Sequence, residues 1–130
     1  MVRILGGSDE RSSVVVDEAY VEFGDQESVI DLIDDYPNLL VLRTLSKALG
    51  FAGARCGAVA GSADIINLLN AVQSPYALAT PVVECVEDAL QSDQLALSDQ
   101  AVPEIVGERQ RLMTADAAYG FVRQVWPSEA

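Results

Sequence analysis

Apolar and polar positions change period along this chain, and the changes mark its elements. Ser13-Val14-Val15-Val16-Asp17 is an unbroken β-branched run closed by an acid, the pattern of a strand covered on both faces in a parallel sheet. From Ser28 to Tyr36 the spacing becomes that of a short amphipathic helix, with Ser28 available as its cap and Pro37 ending it. The apolar run Leu39 to Leu42 then reads as a second strand. Strand, helix and strand in that order predict a βαβ unit, with parallel strands and a right-handed crossover.

Cys56-Gly57-Ala58-Val59-Ala60 predicts a weaker third strand, because glycine and alanine dilute its β-propensity. Gly61-Ser62 turns the chain into Ala63 to Val72, where Ile65, Ile66, Leu68, Leu69 and Val72 give a helix a broad apolar face. A further helix is predicted to Leu90, with Thr80 as N-cap and Pro81 at the first helical position. From about Asp99 to Tyr119 the pattern is again helical, although Pro103 and Gly107 blur its start. Phe121 to Trp126 has the composition of another strand. The fold class expected from this alternation is α/β.

Composition narrows the function. The chain has 130 residues, 50% of them hydrophobic, enough for one domain with a core. Eight basic and twenty acidic residues give a net charge of −12, so a nucleic-acid backbone or an anionic membrane surface is excluded as a natural partner. No apolar stretch is long enough to span a bilayer and no signal-peptide pattern opens the chain, so the expected location is the cytoplasm. Cys56 and Cys85 are too few and too far apart for a disulfide framework or a zinc cluster, and their apolar neighbours suggest buried free thiols. Histidine is absent, which removes Ser-His and Cys-His nucleophile pairs and the usual metal ligands; no metal site is expected.

The remaining chemistry must come from Lys, Asp, Glu, Tyr or Arg, or from a cofactor. Lys47 is the only lysine of the chain and follows directly on the second apolar run. Lysine forms Schiff bases with aldehydes, that of pyridoxal phosphate included. A general scarcity of lysine is the plainer explanation of its isolation, since seven arginines carry the other positive charges. Ligands of open α/β sheets bind beyond the carboxyl ends of the strands, where Asp17 and Lys47 both fall if the two strands are neighbours. The small-residue segment Ala48 to Ala54 ends in Arg55, whose guanidinium suits phosphate oxygens.

Three blocks, Val16-Asp17-Glu18-Ala19-Tyr20-Val21-Glu22-Phe23, Arg43-Thr44-Leu45-Ser46-Lys47-Ala48 and Ala52-Gly53-Ala54-Arg55-Cys56-Gly57, together with their intervals, resemble the histidinol-phosphate aminotransferase family, within the fold-type-I pyridoxal-phosphate enzymes. The resemblance is close from Ser13 to Leu90 and weaker to Ala130. It implies part of a fold-type-I large domain, a mostly parallel sheet flanked by helices. Residues 1–98 would be the central part of that cofactor-binding domain, and residues 99–130 a linking helix and the start of a small domain. Further implications are pyridoxal 5'-phosphate as cofactor, amino-acid and 2-oxo-acid substrates, a place in histidine biosynthesis and a homodimer. Carried over by position, Lys47 is the catalytic residue that bonds to the cofactor and moves the proton. Asp17 pairs with the pyridine nitrogen, Tyr20 bonds the phenolic oxygen, and Arg55, Thr44 and Ser46 hold the phosphate.

Singly, each of these residues also has a plain structural reading: Asp17 as a turn cap, Tyr20 as a core residue, Thr44 and Ser46 as turn residues, Arg55 in a surface ion pair. Glu18 and Glu22 read as surface or hydrogen-bonding acids. The same cofactor residues would serve an aromatic aminotransferase or threonine-phosphate decarboxylase, and a non-catalytic assembly module would keep the sheet without turnover. The family's cofactor-stacking aromatic and substrate-carboxylate arginine have no counterpart in the resembling blocks, so the isolated 130 residues are expected to turn over little substrate.

Overall fold

Three strands form one sheet in the order β1 (Val14–Asp17), β2 (Leu39–Thr44), β3 (Gly57–Gly61). The structure, a computed structural model, describes residues 12–126 and residue 128. β1 and β2 are parallel, with Val14 opposite Leu39 and Asp17 opposite Leu42. β3 returns antiparallel to β2, Gly61 facing Leu40 and Gly57 facing Thr44, so the described sheet is mixed.

Side chains alternate across the sheet, and the two faces differ. On one face Leu39 and Val41 are fully buried against Val14, Val16, Val29, Leu32, Ile33, Tyr36 and Ala60. Burial of this order stabilises by roughly 1.5–3 kcal/mol per large aliphatic side chain. On the other face Val15 is 55% exposed and Val59 43%, so the first strand is covered on one side only, contrary to the expectation from its continuous apolar run. The run is apolar because β-branched residues suit any strand; it does not by itself say how many faces this chain can cover.

The segment predicted as a helix from Ser28 to Tyr36 is a 3-10 turn, Ile30–Leu32, continued by bonds from the Asp35 and Tyr36 amides to the Leu32 carbonyl. So few residues seldom repay the cost of nucleating an α-helix, and Ser28 is shared: its hydroxyl accepts from the Ile30 amide and donates to Glu18. The apolar side of the segment nevertheless reaches the core, which is what the spacing encodes.

Three α-helices follow: α1 (Ala63–Val72), α2 (Thr80–Ala89) and α3 (Ser92–Ala117). α1 matches its predicted bounds. At α2 the cap position is Ala79 and not Thr80, because the Ala79 carbonyl already takes the Val82 and Val83 amides that a Thr80 cap would have satisfied. α3 begins at Ser92, before the expected start near Asp99, and carries Pro103 within it. Proline removes one amide from the helix ladder without ending it here. The helix is tied to both loops at the strand ends: the Ser98 hydroxyl donates to the Ala48 carbonyl at 2.6 Å, and Arg109 donates to the Phe23 carbonyl at 3.3 Å. Phe121 to Trp126 forms no strand, since no described strand lies beside it to pair with. Pro127, Glu129 and Ala130 lie outside the described residues. Among the described residues no helix is long and apolar enough to cross a membrane.

Candidate active site

The parallel pairing of β1 and β2 brings their carboxyl ends together, and the chain turns sharply at each. Asp17 closes β1, and its Oδ1 accepts the Ala19 amide at 3.0 Å, which bends the chain away from the sheet. The Glu18 amide still donates to the Leu42 carbonyl at 2.9 Å, so the pairing runs one residue beyond the strand. Tyr20 then leads into a 3-10 turn, Val21–Phe23.

Thr44 closes β2, and its Oγ1 accepts the Ser46 amide at 3.1 Å. The loop to β3 closes on itself through backbone bonds: the Leu45 amide to the Cys56 carbonyl, the Phe51 amide to the Leu45 carbonyl, and the Gly50 amide to the Lys47 carbonyl. The last turn requires φ of +70° at Gly50, which glycine adopts without steric cost. Arg55 is the only described non-glycine residue with positive φ, at 51°, and its Nη1 donates to the Ala52 carbonyl at 3.0 Å. An arginine in the left-handed region stores backbone strain of the kind found at functional sites.

Asp17, Thr44, Ser46, Lys47 and Arg55 line a single cavity of about 490 Å³. Tyr20 lies outside that wall but reaches it: the Lys47 ammonium sits 4.8 Å from the centre of the Tyr20 ring. The ring borders a second hollow of about 510 Å³, shared with Asp17 and Glu18. The six residues singled out in the sequence therefore converge at one end of the sheet, on the side of the parallel strand ends. Lys47 itself is exposed.

Glu18 is more constrained than the sequence suggested. It is 6% exposed and accepts three hydrogen bonds, from the Ser28 hydroxyl at 2.7 Å, the Val29 amide at 2.7 Å and Arg43 Nη1 at 3.0 Å. Burial alone would push its carboxyl up, but the bonds from Val29, Ser28 and Arg43 outweigh that and hold it below its ordinary value. Arg43 also bonds the outer acid Glu22 at 2.7 Å. The signal was present in the alternation: Val14, Val16 and Glu18 step along one face of the sheet as Leu39, Val41 and Arg43 step beside them.

Cys56 and Cys85 are free, as expected, but neither is buried, and Cys85 is exposed on α2. Among the described residues no group of three or more His, Cys, Asp or Glu side chains could hold a metal ion.

Residues 8–122 match the family described as aminotransferase class I and II, and the chain belongs to that family. Histidinol-phosphate aminotransferase 2 of Idiomarina loihiensis is 50% identical over 105 residues, covering 81% of this chain and 29% of that protein. The histidinol-phosphate aminotransferase of Xylella fastidiosa strain Temecula1 is 47% identical over 116 residues, covering 89% and 32%. Among solved structures, histidinol-phosphate aminotransferase from Sinorhizobium meliloti in complex with pyridoxal-5'-phosphate superposes with a TM-score of 0.77 at 26% identity, over 89% of this chain and 32% of that one. A decarboxylase from Sulfurospirillum multivorans gives a TM-score of 0.78 at 25% identity, over 91% and 35%. The chain thus spans between 16% and 33% of the curated relatives it matches.

Proposed function

We propose that this chain carries the cofactor centre of a pyridoxal-phosphate-dependent aminotransferase that acts on histidinol phosphate and 2-oxoglutarate in histidine biosynthesis. The observation that carries the reading is the convergence of Asp17, Thr44, Ser46, Lys47 and Arg55 on one cavity, with Tyr20 against the lysine. The donor set suits the cofactor: an amine for the aldehyde, a carboxylate for the ring nitrogen, and hydroxyls with a guanidinium for the phosphate. A volume of about 490 Å³ falls in the range of small-molecule sites. When bound, pyridoxal phosphate supplies an aldehyde that condenses with amines and a ring that accepts electrons from the substrate carbon.

The residues of the chain divide the remaining work. Lys47 Nζ would be the amine that holds the cofactor's aldehyde, and as a free amine it would take and return the proton at the substrate Cα. Asp17 would hold the pyridine nitrogen in its protonated form, since a carboxylate beside that atom favours the charged form. Tyr20 would donate to the phenolic oxygen. Thr44 and Ser46 would hold the phosphate together with Arg55, whose fork matches its oxygens. Residues 1–98 belong in this reading to the cofactor-binding domain, residues 99–130 to the link with a small domain, and the assembled cytoplasmic enzyme is a homodimer.

The structural likeness to a decarboxylase favours a second reading, another fold-type-I enzyme using the same residues on a different substrate. The relative at 50% identity weighs toward the aminotransferase. The test is to add pyridoxal phosphate to the purified chain, reduce with borohydride and map the adduct by mass spectrometry. Modification of Lys47 is expected. A chain that retains no cofactor on Lys47 overturns the reading.

A further inference from the structure

One polar contact between the strand ends bears on the placement of the residues that line the cavity. The register pairs Val14 with Leu39 and Val16 with Val41, and the next step on that face brings Glu18 beside Arg43. The two are joined at 3.0 Å, with the Glu18 side chain 5% exposed. Their immediate neighbours in sequence, Asp17 and Thr44, fall on the opposite face, because successive side chains of a strand alternate. Asp17 and Thr44 both line the cavity. A half-buried ion pair, its acid buried and its arginine partly exposed, thus lies beside two cavity residues, one contributed by each strand end.

We infer that Glu18 and Arg43 are positioning residues, a bridge that fixes the end of β1 against the end of β2 and so sets Asp17 and Tyr20 at a defined distance from Thr44, Ser46 and Lys47. The inference rests on the cofactor reading above and deepens it. Three features argue for positioning over mere surface pairing. Glu18 is one residue from Asp17 and two from Tyr20, while Arg43 is adjacent to Thr44 and four residues from Lys47. Glu18 also binds the Ser28 hydroxyl and the Val29 amide, so the bridge is anchored to the segment that covers the core and cannot follow one strand alone. The guanidinium is held by a second carboxylate, Glu22, at 2.7 Å, in the turn that follows Tyr20. Both strand ends and the Tyr20 turn therefore meet on one arginine. Arg43 forms part of the cavity wall between Leu42 and Thr44, yet its guanidinium is engaged by the two acids.

The test compares Glu18→Gln and Arg43→Lys with the unaltered chain and with Leu39→Val, a core change at the far end of β2. Each chain is titrated with pyridoxal phosphate well below its thermal midpoint. Three quantities are read: the dissociation constant, the circular dichroism induced in the bound cofactor, and the yield of borohydride-fixed adduct on Lys47. Groups that orient metal ligands from behind change metal affinity by about 10–100-fold; by the same logic a loss of about tenfold is expected for Glu18→Gln, with an altered induced signal. Leu39→Val is expected to bind like the unaltered chain while melting earlier. Arg43→Lys keeps the charge but cannot span Glu18 and Glu22, so it should show a smaller loss of the same kind, and it decides the matter if Glu18→Gln does not fold. Binding and induced signal unchanged in the folded variants, with Lys47 still modified, overturn the positioning role and leave the cofactor reading standing. An unaltered chain that fixes no cofactor on Lys47 overturns both.

Discussion

The Lys47 ammonium lies 4.8 Å from the centre of the Tyr20 ring, joining the loop after β2 to the turn after β1. The contact holds a flexible four-carbon side chain toward the neighbouring strand end. It also gives the tyrosine a role that needs only its ring.

That distinction separates two substitutions. An exposed cation–π contact contributes about 0.5–1 kcal/mol, so Tyr20→Ala should raise the rate at which an acylating reagent modifies Lys47 about two- to fivefold. Tyr20→Phe should leave that rate unchanged while weakening cofactor retention, because the hydroxyl is lost. Peptide mapping of Lys47 over a time course reads the first effect and cofactor titration the second.

Acid should destabilise the chain partly through Glu18. Its carboxyl is held below its ordinary 4.5 in the folded state, so its stabilising share is complete above that value and is lost as pH falls through the lower folded value. Glu18→Gln should therefore be less stable than the unaltered chain at neutral pH, with the difference shrinking below pH 4.5. Urea midpoints measured across that range check the sign. A gap that widens on acidification contradicts it.

Gly57 should not tolerate a side chain. A Cβ there would meet the Arg43 carbonyl oxygen at 2.7 Å and the Thr44 Cα at 3.7 Å, both backbone atoms of the paired strand. Overpacking of this kind typically costs about 1–3 kcal/mol. Gly57→Ala should lose that much in denaturant unfolding and should also weaken cofactor binding, since Thr44 lines the cavity. Gly107→Ala, with open space around it, should do neither.

Arg55 sets stability against function. Its left-handed backbone suits asparagine better than most residues, so Arg55→Asn should unfold at the same denaturant concentration or higher. The same change removes the guanidinium from the cavity. Discrimination between pyridoxal phosphate and pyridoxal should fall, which paired titrations with the two compounds measure directly.

The sequence disclosed the parts of this structure whose signals are local. β-branched or leucine-rich runs marked β1 and β2, and the spacing of Ile65, Ile66, Leu68, Leu69 and Val72 marked α1. The Ser28 to Tyr36 segment kept its apolar side but not its helix, because hydrogen-bond geometry over so few residues is decided by what the segment packs against. The direction of β3 had no local signature, since the same residues pair equally well either way. Phe121 to Trp126 had strand composition but no strand to pair with. The six candidate residues were picked out together by the resemblance of their blocks to a known family, and the structure brings them to one end of the sheet. Glu18 was legible as a surface or hydrogen-bonding acid, and only the register, which sets Arg43 next to it, decides for the second. Cys85 was misjudged because apolar sequence neighbours on a helix do not cover each other; they point around it.

The loop between β2 and β3 is closed by backbone bonds, Leu45 to Cys56 and Phe51 to Leu45, with a glycine at the bend, and the side chains of Thr44, Arg55 and Ser98 brace it. At two positions route and cargo are separable: the side chains at Ser46 and Lys47 make none of these bonds and can be exchanged without rewriting the scaffold that displays them. Such a segment behaves as a cassette, open to new chemistry by substitution at a few display positions, while Gly50 and the two strand ends remain fixed as its mounting.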